Sequence, residues 1–375
     1  QHLWHQNSTN KMGSQAMKVA IYIPSLRGGG AERVMVTVAY ELSERQWSVD
    51  LVLATAIGPY LSEVSERVRI VDLKSTRVIK SVPGLSTYLR TRRPDTLLAA
   101  MSHAYMAASI AQWIARSPAR LVLSERSMPS RMKSDFLGKL VVKTKRWAYG
   151  RADKIVAVSE GCANELIELI GARPDRVEVI YNPLISRDLF ERAKEPLDHP
   201  WFQPGQPPVV LGVGRLVDVK GFDVLIRAFA HVRRLRRVRL VILGEGALRG
   251  ELLALASTLG VVDDLQMPGF VGNPFPWMKH CSVFVLSSRV EGMPGTLIQA
   301  RALGARAVST NCSSGPLEAM RDGRYALFVD VGSVDQMAEA IVQQMDATSQ
   351  ELFDGSAFVV ESAIDRFALV LKNRI

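Results

Sequence analysis

The chain has 375 residues, 47% hydrophobic and 22% charged, with a formal net charge of +10 at pH 7. That length supplies two cores of about 150–200 residues each, and the positive excess calls for an anionic partner: nucleic acid, a membrane face or a phosphorylated substrate. Three cysteines, Cys162, Cys281 and Cys312, stand far apart without metal-ligand spacing, which argues against a disulfide framework and a structural zinc site and fits a reducing, cytoplasmic setting.

Residues 1–16, QHLWHQNSTNKMGSQA, are polar, lack an apolar signal core and read as an added leader, with a natural start near Met17. No later apolar run approaches the roughly 18 residues a membrane span needs. From Lys18 onward short β-rich runs alternate with helical stretches: KVAIYI, VDLVLA, VRIVDL, TLLAAM, RLVLSE, KIVAVS and VEVIYN, the last beginning at Val177. Most are near-continuous apolar runs, as strands buried on both faces of a parallel sheet require. The stretch Lys194 to Pro208 is too rich in proline for helix or central strand and reads as a linker. The alternation then restarts with VVLGVG, RLVILG, LQMPGF, SVFVLS, RAVST and ALFVD. This is the pattern of an α/β chain with two doubly wound, Rossmann-like domains facing a cleft, over residues 17–195 and 208–355 with 196–207 between them. Residues 356–375 form an amphipathic helix, expected to fold back onto the first domain.

Three glycine-rich turns follow predicted strands. Gly28, Gly29 and Gly30 open a helix, where free amides and about half a positive charge suit an anion; a tight turn without a ligand fits equally. The run is not GxGxxG, and no acidic ribose partner stands at dinucleotide-fold spacing, which disfavours a nicotinamide enzyme. Gly212 to Leu216, followed by Asp218 to Phe222, sets Arg215 and Lys220 at a strand's carboxyl end, where ligands of open α/β sheets bind. Two cations there can neutralise a diphosphate leaving group; solvated surface cations are the plain alternative. Glu291 to Leu297 begins another helix with a carboxylate and exposed amides, suited to sugar hydroxyls and phosphate oxygens or simply to the helix end.

In this order, GGAER from Gly29, VSEG at Val158 to Gly161, IYNP at Ile180 to Pro183, GVGRL…KGF, ILGEG at Ile242 to Gly246, LSS..EGMPGTLI and SGPLE at Ser314 to Glu318 resemble the family 4 retaining glycosyltransferases, which have the GT-B fold. The resemblance runs from about Met17 to the C-terminus. It implies that Arg215 and Lys220 hold the donor diphosphate and that Glu291 contacts the transferred sugar. The loop Gly292, Met293, Pro294, Gly295 and Thr296 would complete that pocket. Gly29 and Gly30 would face the phosphates across the cleft, and Phe270 and Val271 would lie near the base. Where the family usually carries a second Glu, for the ribose hydroxyls, this chain has Gln299, about two helical turns beyond Glu291. Gln keeps an acceptor oxygen but loses the charge, so weaker nucleotide binding is expected, and a non-catalytic sugar-nucleotide-binding homologue is the alternative.

His103, after the fourth strand, is a candidate sugar-contacting or acceptor-side catalytic residue, with a structural histidine as the alternative. Glu125 and Arg126 are acceptor-side candidates. His199, His231 and His280 sit in linker or helix contexts and suggest no chemistry. Ser130 to Lys154 alternates Arg131, Lys133, Lys139, Lys143, Lys145 and Arg146 with Phe136, Leu140 and Trp147. With Arg77 to Arg93 it reads as a contact for an anionic membrane surface, or as solvated faces. No nucleic-acid module is visible.

The resulting expectation is a peripheral enzyme of the inner membrane face. It would move a hexose from a nucleoside diphosphate sugar, UDP-linked before GDP-mannose, to a lipid or lipid-linked saccharide in envelope polysaccharide or glycolipid assembly. No cofactor and no metal are expected, since two cations take a metal's part.

Overall fold

The computed structural model describes residues 16–27, 29–126, 136–312 and 314–372. All thirteen apolar runs become strands, divided between two sheets. The first holds β1 (Lys18–Ile23), β2 (Ser48–Leu53), β3 (Arg69–Asp72), β4 (Thr96–Ala100), β5 (Arg120–Glu125), β6 (Lys154–Ala157) and β7 (Val177–Val179). Their order is β3-β2-β1-β4-β5-β6-β7, every neighbouring pair parallel. The second holds β8 (Val209–Val213), β9 (Arg239–Leu243), β10 (Leu265–Gly269), β11 (Val283–Leu286), β12 (Ala307–Thr310) and β13 (Leu327–Val329), in the order β10-β9-β8-β11-β12-β13, again all parallel. Central strands such as β4, β5 and β11 are buried along their whole length, which is why their sequences do not alternate. Chain direction across each sheet reverses beside the first strand, between β1 and β4 and between β8 and β11. Such switch points open a crevice at the carboxyl ends of the strands.

The proline-dense stretch between the sheets forms one short 3-10 turn, Pro200–Phe202, capped by the His199 ring, whose Nδ1 accepts from Trp201 N at 3.1 Å. His199 also bonds Gln266 at 2.6 Å and packs against Trp277, so it fastens the stretch to the second sheet.

The helix Val360–Lys372 lies on the first sheet, not the second. Ile364, Phe367 and Leu371 are buried in the cluster that holds Ile21, Leu51 and Leu98. A helix's last carbonyls have no partners of their own. Here Thr96 Oγ1 donates to Leu371 O at 2.9 Å, and Arg120 Nε donates to Val370 O at 2.9 Å. A buried cation at a helix C-terminus also favours the dipole.

Contacts between the two halves include Arg192 Nη2 to Gly272 O at 3.0 Å and Asn273 Nδ2 to Arg192 O at 2.9 Å, and one of them is made by a carboxylate. Glu318, on the short helix Ser314–Ala319 of the second half, accepts from Glu160 N at 2.8 Å and Gly161 N at 3.3 Å. These are two of the amides left free at the start of the helix Glu160–Glu165 in the first half, and a third, Cys162 N, is capped by Ser159 Oγ at 3.1 Å. Tyr181 also bonds Glu318; burial first, then that carboxylate, pushes its phenol up.

Among the described residues no helix is long and apolar enough to cross a membrane. The basic stretch needs one correction. Its described part lies on the helix Phe136–Arg151, but Lys145 turns inward, only 9% exposed, with its ammonium 3.7 Å from Glu125. Arg146 Nε donates to Ile170 O at 2.9 Å. The reason is helical geometry: with 3.6 residues per turn the basic positions cannot all share one face. Trp147 and Arg151 remain exposed and stack at 5.5 Å. Arg131 and Lys133 lie outside the described residues, as do the side chains of Lys139 and Lys143.

Candidate active site

Three turns at the carboxyl ends of β8, β9 and β10 stack directly on one another. Gly214 N donates to Leu243 O at 2.9 Å, Gly244 N to Gly269 O at 2.8 Å and Leu216 N to Glu245 O at 2.9 Å. A Cβ on Gly244, at φ +141°, would stand 1.9 Å from Gly214 O, so only glycine allows this approach. The stack sets Phe270 at its outer end, 57% exposed, with Val271 beside it half-buried. An exposed ring at this edge is available to stack on a planar group.

Behind the stack the turn after β8 carries Arg215, exposed, and Lys220, largely covered. Lys220 crosses to the loop after β11, where its Nζ donates to Glu291 Oε1 at 2.6 Å. Ser288 Oγ donates to the same oxygen at 2.6 Å. The side chains of Lys220 and Glu291 are 22% and 13% exposed, so the pair is partly desolvated and each charge depends on its partner. Gly214 lies under the stem of Lys220, where a Cβ would sit 3.4 Å from its Cδ and Cε.

From Glu291 the chain runs through Gly292, Met293 and Pro294 into the helix Gly295–Ala302. Met293 and Pro294 are buried, while Gly292, Gly295 and Thr296 are part-covered. Gln299, one position past the middle of that helix, is part-covered too. The loop is closely backed: a Cβ on Gly315 would lie 2.2 Å from Gly292 O. Leu184 of the first half lies close by: a Cβ on Gly295 would stand 3.5 Å from its Cδ2.

Lys220, Glu291 and the glycine loop are therefore brought together, with Arg215 on the same turn as Lys220. Gly28 lies outside the described residues. Gly29 and Gly30 open the helix Gly30–Glu44, but the Gly29 amide already donates to Glu32 Oε2 at 2.6 Å, the buried carboxylate capping its own helix. His103 belongs to the helix Ser102–Ala115, and its side chain lies outside the described residues.

The acceptor-side expectation for Glu125 is corrected. Glu125 is fully buried at the end of β5, where it accepts from the Tyr149 hydroxyl and, at 3.4 Å, the Tyr105 hydroxyl, beside Lys145. A carboxylate held by two phenols and an ammonium inside the first core is structural. Burial in the same cluster pushes the Cys162 thiol up to about 12, with Glu125 adding to it. Arg126 also points inward: it bonds Asn182 Oδ1 and lies 5.9 Å from the Phe367 ring. Burial lowers its guanidinium to about 10.

Sequence reasoning left Ser288, Arg289 and Glu318 without roles. Their signal lay in the strings LSS..EG and SGPLE, but nothing in a spacing shows that Ser288 reaches Glu291 or that Glu318 reaches the other half.

A pair of Rossmann-like domains with a glycine-lined, cationic site at the strand ends of the second defines the GT-B class of fold. Residues 28–185 match the family described as Glycosyltransferase Family 4, and residues 207–347 match Glycosyl transferases group 1. The lipopolysaccharide core biosynthesis glycosyltransferase LpsE of Rhizobium meliloti is 30% identical over 321 residues, covering 84% of this chain and 86% of its own. An N-acetylgalactosamine-N,N'-diacetylbacillosaminyl-diphospho-undecaprenol 4-alpha-N-acetylgalactosaminyltransferase of Campylobacter jejuni is 29% identical over 352 residues, covering 88% and 90%. The Anabaena Alr3699/HepE structure in complex with UDP-glucose has the same fold, with a TM-score of 0.78 at 20% identity over 95% of this chain and 99% of that one. The chain belongs to the group 1, family 4 glycosyltransferases, and its fold is GT-B.

Proposed function

We propose that this glycosyltransferase moves a hexose, with retention of configuration, from a nucleoside diphosphate sugar to a lipid or lipid-linked saccharide acceptor. A UDP-sugar is favoured over GDP-mannose. The observation that carries the proposal is the Lys220–Glu291 pair, partly desolvated at the strand ends of the second sheet. In the free enzyme each charge satisfies the other. A bound diphosphate takes over the Lys220 ammonium, and Glu291 is then released to a sugar hydroxyl. Lys220 and Arg215 stabilise the charge that grows on the leaving diphosphate, the kind of fixed electrostatic contribution that dominates many enzymes, and so do a metal's work. The acceptor hydroxyl attacks on the face the diphosphate leaves, and a diphosphate oxygen takes its proton. The exposed Phe270 ring suits a nucleobase, and UDP in the HepE complex supports the choice of base.

The diphospho-undecaprenol-linked substrate of the Campylobacter relative and the lipopolysaccharide core role of the Rhizobium relative support a lipid-linked acceptor in envelope polysaccharide assembly. Contact with an anionic inner membrane face would use Arg77 and Lys80, exposed on either side of Ile79, which is 56% exposed. The test is a thermal-shift panel of nucleoside diphosphates, followed by a transfer assay with the donor whose base raises the melting temperature most. Binding without turnover on any lipid-linked acceptor would favour the non-catalytic reading prompted by Gln299; no binding of any nucleotide would refute both.

A further inference from the structure

The turn that aims Lys220 has two backbone bonds of its own, Lys220 N to Val217 O and Gly221 N to Asp218 O at 3.0 Å each, and it is also held from outside. Its carbonyls at Asp218, Val219 and Lys220 are held one after another by the end of β11. Arg289 Nη1 donates to Asp218 O at 2.7 Å, Arg289 N to Val219 O at 2.8 Å, and Ser287 Oγ to Lys220 O at 2.9 Å. The other end of the Arg289 guanidinium grips the first turn of the next helix, where Nη2 lies 3.0 and 2.9 Å from the two Asp223 oxygens. Gly221, between these contacts, has φ +62°, and a Cβ there would stand 2.1 Å from Ser287 O. The two loops are thus in backbone contact, with Lys220 and Glu291 projecting from opposite sides of the seam.

We propose that Arg289 is the positioning residue of the donor site: by gripping Asp218 and Asp223 it holds the Lys220 ammonium within reach of both Glu291 and the leaving group. The role rests on the glycosyltransferase reading above. A planar guanidinium can serve a carbonyl and a carboxylate at once, which a lysine ammonium does with less fixed geometry. The Arg289 guanidinium is taken up by Asp218 and Asp223. Its effect therefore passes through Lys220, and small misplacements of a charged group are costly in catalysis.

The full chain is compared with Arg289→Gln and Arg289→Lys, and with Asp223→Asn as a second way to loosen the same grip. Steady-state transfer should show kcat falling about 10- to 100-fold in Arg289→Gln, with KM changed much less and the folded fraction unchanged. Arg289→Lys should recover part of the loss, and Asp223→Asn should fall between. Independently of any donor, brief acetylation read by mass spectrometry should label Lys220 several-fold faster in Arg289→Gln while other lysines keep their rates. Wild-type kcat and unchanged Lys220 labelling in Arg289→Gln would overturn the proposal, as would a loss of activity fully explained by a loss of folded protein. If the wild-type chain binds no nucleoside diphosphate, the glycosyltransferase reading fails instead, and the labelling arm still decides whether Arg289 positions Lys220.

Discussion

Replacing Glu318 by Gln removes one charge and one acceptor oxygen from one of the contacts between the two halves, with little change in shape. In the native chain the carboxylate accepts from Glu160 N at 2.8 Å and Gly161 N at 3.3 Å. A hydrogen bond to a charged group contributes about 1.5–3 kcal/mol and a neutral one about 1 kcal/mol. Gln can keep one bond in neutral form and must turn its amide donors toward the other N–H. The Glu160 contact is exposed to solvent, which lowers its share, so the net loss is about 2 kcal/mol. At about 1.4 kcal/mol per tenfold, the equilibrium between joined and parted halves shifts roughly 20- to 30-fold. Hydrogen exchange resolved to single amides reads this directly. Exchange at Glu160 and Gly161 should accelerate by about that factor, while Cys162, capped by Ser159 within the same half, keeps its protection. Small-angle scattering should show a larger mean radius of gyration. If the Glu160 and Gly161 amides exchange at the native rate in the variant, the carboxylate does not hold the halves together and the reasoning is wrong.

Three further outcomes follow from the same geometry. Gln299→Glu should tighten nucleoside diphosphate binding several-fold, on the order of 1 kcal/mol for a charge-assisted bond in place of a neutral one, measured by titration calorimetry. Lys145→Met should destabilise the chain by about 3–5 kcal/mol in urea unfolding, because it removes the counter-charge of the buried Glu125 carboxylate, and adding Glu125→Gln should restore part of the loss. Burial pushes the Asp223 carboxyl up, but Arg289 outweighs it and holds it below its ordinary range. The folded carboxyl therefore keeps its charge to lower pH than the unfolded one. Its contribution to stability is complete above the unfolded value of about 3.9 and is lost as pH falls through the lower, folded one. Thermal melts from acid to neutral pH should show this fall in the native chain and a weaker one in Arg289→Gln.

The fold was readable because apolar runs and glycine turns are local signals. The central strands stand on runs that bury both faces, the edge strand β3 is mostly exposed, and Gly214, Gly244 and Gly269 stand where strand ends nearly touch. The cationic turn and the Glu291 loop were readable as motifs for the same reason. What a linear pattern does not carry is the direction of a side chain. Glu125 and Lys145 look like polar residues at a strand end and on a basic helix, yet they face each other in the core. Glu318 closes the sequence string SGPLE, but its partners Glu160 and Gly161 lie more than 150 residues earlier. Arg289 is one more arginine among many until its two grips are seen together.

The helix Val360–Lys372 has a consequence for how the molecule is made. Its residues complete the core of the first sheet, and Thr96 waits for a carbonyl 275 positions further on. During synthesis the second domain has all the residues of its own sheet before the first domain has all of its core. The half translated first is thus the half finished last, and until then the cluster around Ile21, Leu51 and Leu98 stands open on one side. Contacts this distant in sequence slow folding, and an unfinished apolar face is the usual route to aggregation of a nascent chain. A stop a dozen residues early would leave the second half intact and the first half without its lid.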